Sequence, residues 1–452
     1  MTLEPRTLLA QALRRLDELV TRRVVLCVAW GLFLVYCYPG YMSTDSVDQI
    51  QQARGEPFDD WHPPMMAFLW RYLDRIIAGP ILMVVLQGAA FLFGLDAILR
   101  RLMSPRAAAV AASAIFLSPP VLVVMAVVWK DSQMAGFLVA GVPCLLSERR
   151  RWTVVGCLFL FLASGQRFNA PAATLPIVVL LFAWPGTAGL RRYAIAGGVW
   201  IAITAAAFGA NAAITQRHGY AWHGSVALFD IVGMVTYAPT MSDDEVRTKL
   251  AGISIVPTEH LQGRMRAVYN PRAWYFLAYT ESMVLAPPQD AMQRAAVTAA
   301  WRRMLMSYPR AYFDHRLKVF NELLGLGDKK PRAVWDRFTE TEPQWLIVKH
   351  RAQHSRYQAQ WVACLRKVES GLLFRAWAYA LLAFALLPLC RRQRLAFALL
   401  GSGLVCELSL FVSAPSADYR YSHWMISCTI VAAVMIFIAR WRSARPEPTA
   451  SS

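Results

Sequence analysis

Ten apolar runs, at roughly 24–42, 79–99, 107–128, 132–147, 152–165, 170–187, 193–214, 371–390, 395–413 and 423–440, constrain this chain more than any other feature. Most approach the roughly 20 residues that a helix needs to cross bilayer hydrocarbon. In hydrocarbon every backbone N–H and C=O must be satisfied within the segment, so such runs fold as helices. The connections between them alternate in charge. Arg14, Arg15, Arg22 and Arg23 precede the first run. Arg100, Arg101 and Arg106 follow the second, and Arg149, Arg150 and Arg151 follow the fourth. Arg191 and Arg192, then Arg391, Arg392 and Arg394, then Arg440, Arg442 and Arg445 complete the series. Every second connection is Arg-rich, which predicts that these connections and both termini are cytoplasmic. The expected fold is an all-α polytopic integral membrane protein of about ten transmembrane helices.

Composition agrees with that reading. Charged residues make up 17% of the 452, against about a quarter in soluble chains. The net charge of +18 invites a nucleic-acid partner, but the topological Arg clusters account for much of it, so none is expected. Eight cysteines lie mostly in or beside apolar runs without metal-ligand spacing, so neither a disulfide framework nor a zinc site is implied. The polar N-terminal stretch does not read as a cleavable signal, and the first run reads as a retained anchor.

The remaining connections share the opposite side. They are residues 43–78, the turn at Trp129-Lys130-Asp131, the turn at Gln166-Arg167-Phe168-Asn169, residues 215–370, and the loop at Asp418-Tyr419-Arg420-Tyr421. Almost every ionisable residue not explained by topology therefore faces one compartment. Residues 215–370 are too long for a bare loop and carry helical spacing, as in AMQRAAVTAAWRRMLMSYPRAYFDHRLKVFNELLG. The chain divides accordingly into a membrane module at 1–214, a largely helical outer region at 215–370, and C-terminal membrane helices with a short tail at 371–452.

Candidate chemistry concentrates in STDSVDQIQQARGEPFDDWHPPMM, residues 43–66, directly after the first run. Asp45 and Asp48 fit the first turns of a helix capped by Ser43 or Thr44, where carboxylates are favoured. The bland reading is a solvated cap. Against it, the pair stands at the membrane exit, and Trp61-His62-Pro63-Pro64 returns the chain to the membrane soon afterwards. A carboxylate there can act as a general base towards a hydroxyl. Lys130 and Asp131 are either a loop salt bridge or a phosphate contact beside an orienting acid. Arg167 is unexpected on this side, and its fork matches phosphate oxygens. Tyr419, Arg420 and Tyr421 are interfacial anchors or ligand contacts. Asp230 is one acid in an apolar context, either a satisfied core residue or a substrate contact.

The order of these motifs resembles the GT-C glycosyltransferases, membrane enzymes that use polyprenyl-phosphate-linked sugars. The likeness runs over most of the chain and rests on PGxxxxDSxxQ around Asp45, the downstream HPP, the Lys130-Asp131 turn and RFNA at Arg167. It implies an inverting transfer from the lipid-linked donor to a hydroxyl of a cell-envelope glycan or lipid, in a cavity at the outer face of a bacterial inner membrane. Asp45 would be the general base, with Asp48 a weaker substitute in that role, and Asp131 a third catalytic candidate that orients substrate. Lys130, Arg167 and Arg420 would hold the donor phosphate, and Trp61, His62, Asp230, Tyr419 and Tyr421 would contact substrate. Lys130 stands where the family commonly has a second acid, so a divalent metal is not indicated and no cofactor is expected. A lipid flippase, a secondary transporter and a structural scaffold are the rival readings. Nearly charge-free spans and the absence of a repeat count against the transporter.

Overall fold

The computed structural model describes residues 5–184, 186–256, 258–277, 283–327, 332–336 and 354–443. It is helical throughout, and among the described residues strand pairing is confined to three isolated bridges. In chain order the helices are α1 (Pro5–Cys37), α2 (Thr44–Arg54), α3 (Met65–Ile76), α4 (Ile81–Leu99), α5 (Pro105–Phe116), α6 (Pro119–Met125), α7 (Lys130–Leu145), α8 (Arg150–Ser164), α9 (Ala170–Leu181) and α10 (Gly189–Ile214). There follow α11 (Ala227–Tyr237), α12 (Asp243–Lys249), α13 (Leu261–Val268), α14 (Ala291–Ser307), α15 (Pro309–Leu323), α16 (Arg356–Val368), α17 (Ala376–Leu386), α18 (Arg394–Ser413) and α19 (His423–Ser443). The first connection holds two short helices, α2 and α3, which the side chain of Arg71 ties together by donating to the carbonyls of Gln52 and Ala53 at 3.0 and 3.1 Å.

All ten apolar runs become helical, but they differ in reach. Among the described residues five stretches are long and apolar enough to cross a membrane: Val20–Cys37, Ile81–Leu99, Gly189–Ile214, Arg394–Ser413 and Tyr419–Ser443. The pair α5 and α6 makes a sixth if counted as one span, bent by 71°. This corrects the expected count of about ten. The runs at 132–147, 152–165, 170–187 and 371–390 give helices of 16, 15, 12 and 11 residues. At 1.5 Å per residue the longest reaches only ~24 Å, short of a hydrocarbon core of ~30 Å. Hydropathy marked the apolar stretch of chain; proline and the turns decided how much of it winds into one helix. Pro119 starts α6 at the bend and Pro388 lies in a 3₁₀ turn after α17.

Small residues bring α4 and α7 into backbone contact, as in many membrane helix pairs. A Cβ built on Gly136 would lie 2.7 Å from the carbonyl oxygen of Gln87, and one on Gly94 would lie 2.8 Å from that of Val139. Gly136→Ala is accordingly expected to force the helices apart at a cost of about 1–3 kcal/mol. A thermal melt of the purified variant that superimposes on wild type would contradict this. The same helix pair fixes the chain between α6 and α7. Gln87 donates to the carbonyls of Met125 and Val127 at 2.7 and 2.8 Å, and Gln133 donates to Gln87 at 3.0 Å. Carbonyls orphaned at the end of α6 are thus satisfied inside the protein, and the start of α7 is held in place.

Two hydrophobic cores form among the described residues. One joins the membrane-length helices with Val334 and with Val362 and Leu365 of α16. The other is built from residues between Ala227 and Leu323, closed by Leu410, Ala414 and Tyr421 from the chain around α18 and α19. Gln358 of α16 donates to the carbonyl of Tyr38 at 2.6 Å, and Trp335 donates to that of Met42 at 2.8 Å. Residues far along the chain are therefore seated over the end of α1.

Candidate active site

Four separated stretches meet beyond the end of α1. The first connection is fastened to the chain before α7 by a parallel bridge: the amide of Tyr41 donates to Ala126 at 3.2 Å and that of Val128 to Tyr41 at 2.9 Å. Ser43 caps α2, its amide donating to Ser46 Oγ at 3.0 Å. Ser46 Oγ in turn donates to the Val128 carbonyl at 2.7 Å, and the Trp129 indole donates to Ser43 Oγ at 2.8 Å. The N-termini of α2 and α7 are thereby juxtaposed, with Asp45 in the first turn of one and Lys130 and Asp131 in the first turn of the other. The loop carrying His62 is strapped down by Asp60, which accepts from the amides of Gly219 and Tyr220 at 2.8 Å each. Arg420 enters from the 3₁₀ turn Tyr419–Ser422, where Asp418 accepts from the Arg420 amide at 3.2 Å.

Asp45 is the centre of the arrangement. Its Oδ2 lies 2.6 Å from Arg420 Nη2, 3.6 Å from His62 Nε2 and 3.8 Å from Lys130 Nζ. Lys130 Nζ lies 2.6 Å from His62 Nδ1. An ammonium only donates, so the imidazole accepts at Nδ1 and presents Nε2–H towards Asp45. Arg167 pairs with Asp131 behind this group and stacks over Tyr421 at 4.6 Å. Arg420 also meets Asp418 at 3.0 Å and lies over the Trp129 ring at 4.7 Å. Two guanidiniums, Arg167 and Arg420, and Lys130, whose ammonium is pushed down to about 7 by burial, thus face three carboxylates. Among the described residues no group of three His, Cys, Asp or Glu side chains is placed to hold a metal ion.

Burial by itself would raise the Asp45 carboxyl, but Arg420, then His62 and Lys130, outweigh it and hold the group well below the usual carboxylate range. Burial and the Lys130 ammonium push His62 down to about 4, so it is neutral at pH 7. The folded imidazole binds a proton less readily than the unfolded one, whose value is about 6.5. Stability is therefore retained above about 6.5 and lost as pH falls towards about 4. The expected loss from this group is roughly 2–3 kcal/mol, and His62→Gln should flatten that limb. Denaturation at pH 7 and pH 4.5 checks it; an unchanged pH slope in the variant would sink the assignment.

These groups open onto a cavity of about 1160 Å³. Asp45, His62, Lys130, Arg167, Arg420 and Tyr421 line it, and Trp61, Trp129, Trp274 and Trp335 add aromatic wall. The side chain of Asp45 is 23% exposed, so a ligand can reach it. Four candidates lie elsewhere. Asp131, 1% exposed, is not part of the wall and serves as counter-ion to Arg167. Asp48 is exposed on α2 but outside the cavity. Tyr419 is buried against Phe374, ring centroids 5.7 Å apart. Asp230 lies in the second core, bound to Trp301, His315 and Arg316, because that region packs its one apolar-context acid inward against a buried cation.

Sequence reasoning did not single out Trp129, Trp274, Trp335 or the counter-ion role of Asp418. Asp418 was legible in principle, standing two residues before Arg420, whereas nothing local marks Trp274 or Trp335 as cavity wall. No family model, no characterised protein and no solved structure matches this chain.

Proposed function

We propose that this chain is a membrane glycosyltransferase of the GT-C type, moving a sugar from a polyprenyl-phosphate donor to a hydroxyl of an envelope glycan or lipid. The observation that carries the reading is the meeting of one reachable carboxylate, Asp45, with Lys130 and Arg420 in a single large cavity. In the proposed reaction Asp45 takes the proton from the acceptor hydroxyl, whose oxygen attacks the anomeric carbon. The bond from that carbon to the phosphate oxygen breaks with its electron pair on the leaving lipid phosphate, inverting the centre. Lys130 and Arg420 offset the negative charge that grows on the departing phosphate. His62, neutral and directed at Asp45, orients the base. Arg167, held by Asp131, supports Tyr421 and that edge of the wall. In this reading the cavity faces the periplasmic side of a bacterial inner membrane, an assignment supported by the Arg clusters beside the apolar runs, with membrane lipids around the apolar helices.

The test is turnover. Purified protein in detergent is offered radiolabelled polyprenyl-phosphate sugars with a panel of envelope acceptors, and transfer of label to an acceptor is expected. Lipid-phosphate binding without transfer on any acceptor, together with transbilayer movement in vesicles, would replace the transferase by a carrier of the same lipids.

A further inference from the structure

The base in this site rests against cations that lower its basicity, all of them on one carboxylate oxygen, Oδ2. Arg420 Nη2 lies 2.6 Å from Asp45 Oδ2, a charge-assisted hydrogen bond at its short end. Yet Arg420 has a second seat. Its Nε lies 3.0 Å from Asp418 and 3.9 Å from Asp131, and its plane rests on Trp129. It is carried on a four-residue 3₁₀ turn between α18 and α19 and opens onto the cavity. Lys130, the other cation within 4 Å of Asp45, has three donors, one of which His62 accepts.

We propose that Arg420 is a latch on Asp45, withdrawn by the phosphate of the incoming ligand, so that the carboxylate becomes an active base only when that anion is bound. The identity of the anion, a lipid monophosphate, rests on the transferase reading above. The guanidinium fork matches two phosphate oxygens better than one carboxylate oxygen, and Asp418 continues to hold its Nε edge as the Nη2 edge turns away. An anion seated between Arg420 and Lys130 also stands beside Asp45 and disfavours its ionised form. Both effects raise the basicity of Asp45 at the moment a donor is present. The other groups facing it are His62 from the first connection, Asp131 and Lys130 from α7, Asp418 from the turn, and Asp48 on α2. The device enforces an order, donor before acceptor, and leaves water or a lone acceptor facing a weak base.

The test reads Asp45 itself rather than turnover. Full-length protein is labelled with a carbodiimide, which reacts with protonated carboxyls, across a pH series, and the Asp45 peptide is quantified by mass spectrometry. The probe is farnesyl phosphate at saturation, with occupancy followed by tryptophan fluorescence; farnesol is the uncharged control. The labelling midpoint of the wild type is expected to rise by about one pH unit or more with farnesyl phosphate, and not with farnesol. In Arg420→Gln the midpoint should already be raised without ligand and move by less than half as much on binding. Arg420→Lys, which keeps the charge and loses the fork, serves if the Gln variant does not fold, and its shift should also be the smaller. A midpoint unmoved by bound farnesyl phosphate overturns the latch while leaving the transferase reading standing. Equal shifts in wild type and variant overturn it too, since repulsion alone would then suffice. Failure of farnesyl phosphate to bind removes both the latch and the lipid-phosphate donor.

Discussion

Asp45→Asn is expected to lower sugar transfer by about 10²- to 10⁴-fold, the usual worth of a positioned general base, in protein that still folds. The amide has nearly the shape of the carboxylate but does not accept the hydroxyl proton at neutral pH. The substitution should be tolerated structurally because the group lies on a cavity wall and its chief partner keeps other carboxylates. Arg420 retains Asp418 at 3.0 Å, and Lys130 retains His62 at 2.6 Å. Turnover and the size-exclusion profile of the same preparation give the answer together. Full activity in a monodisperse Asp45→Asn sample would remove Asp45 from the chemistry, and with it the mechanism.

The second large effect lies far from the cavity. Asp230→Asn should destabilise the protein by about 3–5 kcal/mol, the cost of leaving a buried charge uncompensated. Arg316 is fully buried and Asp230 is its paired carboxylate; the guanidinium otherwise donates to the Ala414 carbonyl at 2.8 Å. Asp230 also accepts from the Trp301 indole at 2.8 Å and faces His315 Nε2 at 3.2 Å, while His315 Nδ1 lies 2.8 Å from the Tyr269 hydroxyl. One substitution therefore disturbs a network joining α11, α14 and α15 to the residue after α13 and the end of α18. Loss of amide-exchange protection should concentrate in 227–323. Replacing the charges together, Asp230→Leu with Arg316→Met, should restore part of the loss, because an apolar pair leaves no stranded ion. A single variant that loses under 1 kcal/mol would show that water reaches the guanidinium.

These two acids illustrate how far a sequence can be read. Asp45 stands out in the sequence by its position after an apolar run, and Asp230 by apolar surroundings that fit a satisfied core residue as well as a substrate contact. The first lines the cavity; the second is the counter-ion of a core. Position relative to a helix end is local information, carried by Ser43 as the cap and by the dipole that favours acids in the first turn. Surroundings are not. An acid among apolar neighbours reads the same whether its partner is a ligand or an arginine 86 positions away. Lys130 and Asp131 make the same point from adjacent positions, since α7 turns one into the cavity and the other into the packing behind it.

What the sequence determined by itself is the helical class, the apolar stretches and the caps. All of these depend on neighbours within a few turns along the chain. What the tertiary structure alone decided is which charges meet. Asp45 and Arg420 are 375 residues apart, and their contact exists because Gln87, Gln133, Trp129 and the glycines of α4 and α7 fix where the chain re-enters the site. The length of each helix was decided there as well, for a run of apolar residues is set by composition, whereas the length that winds straight is set by prolines and by what packs against it.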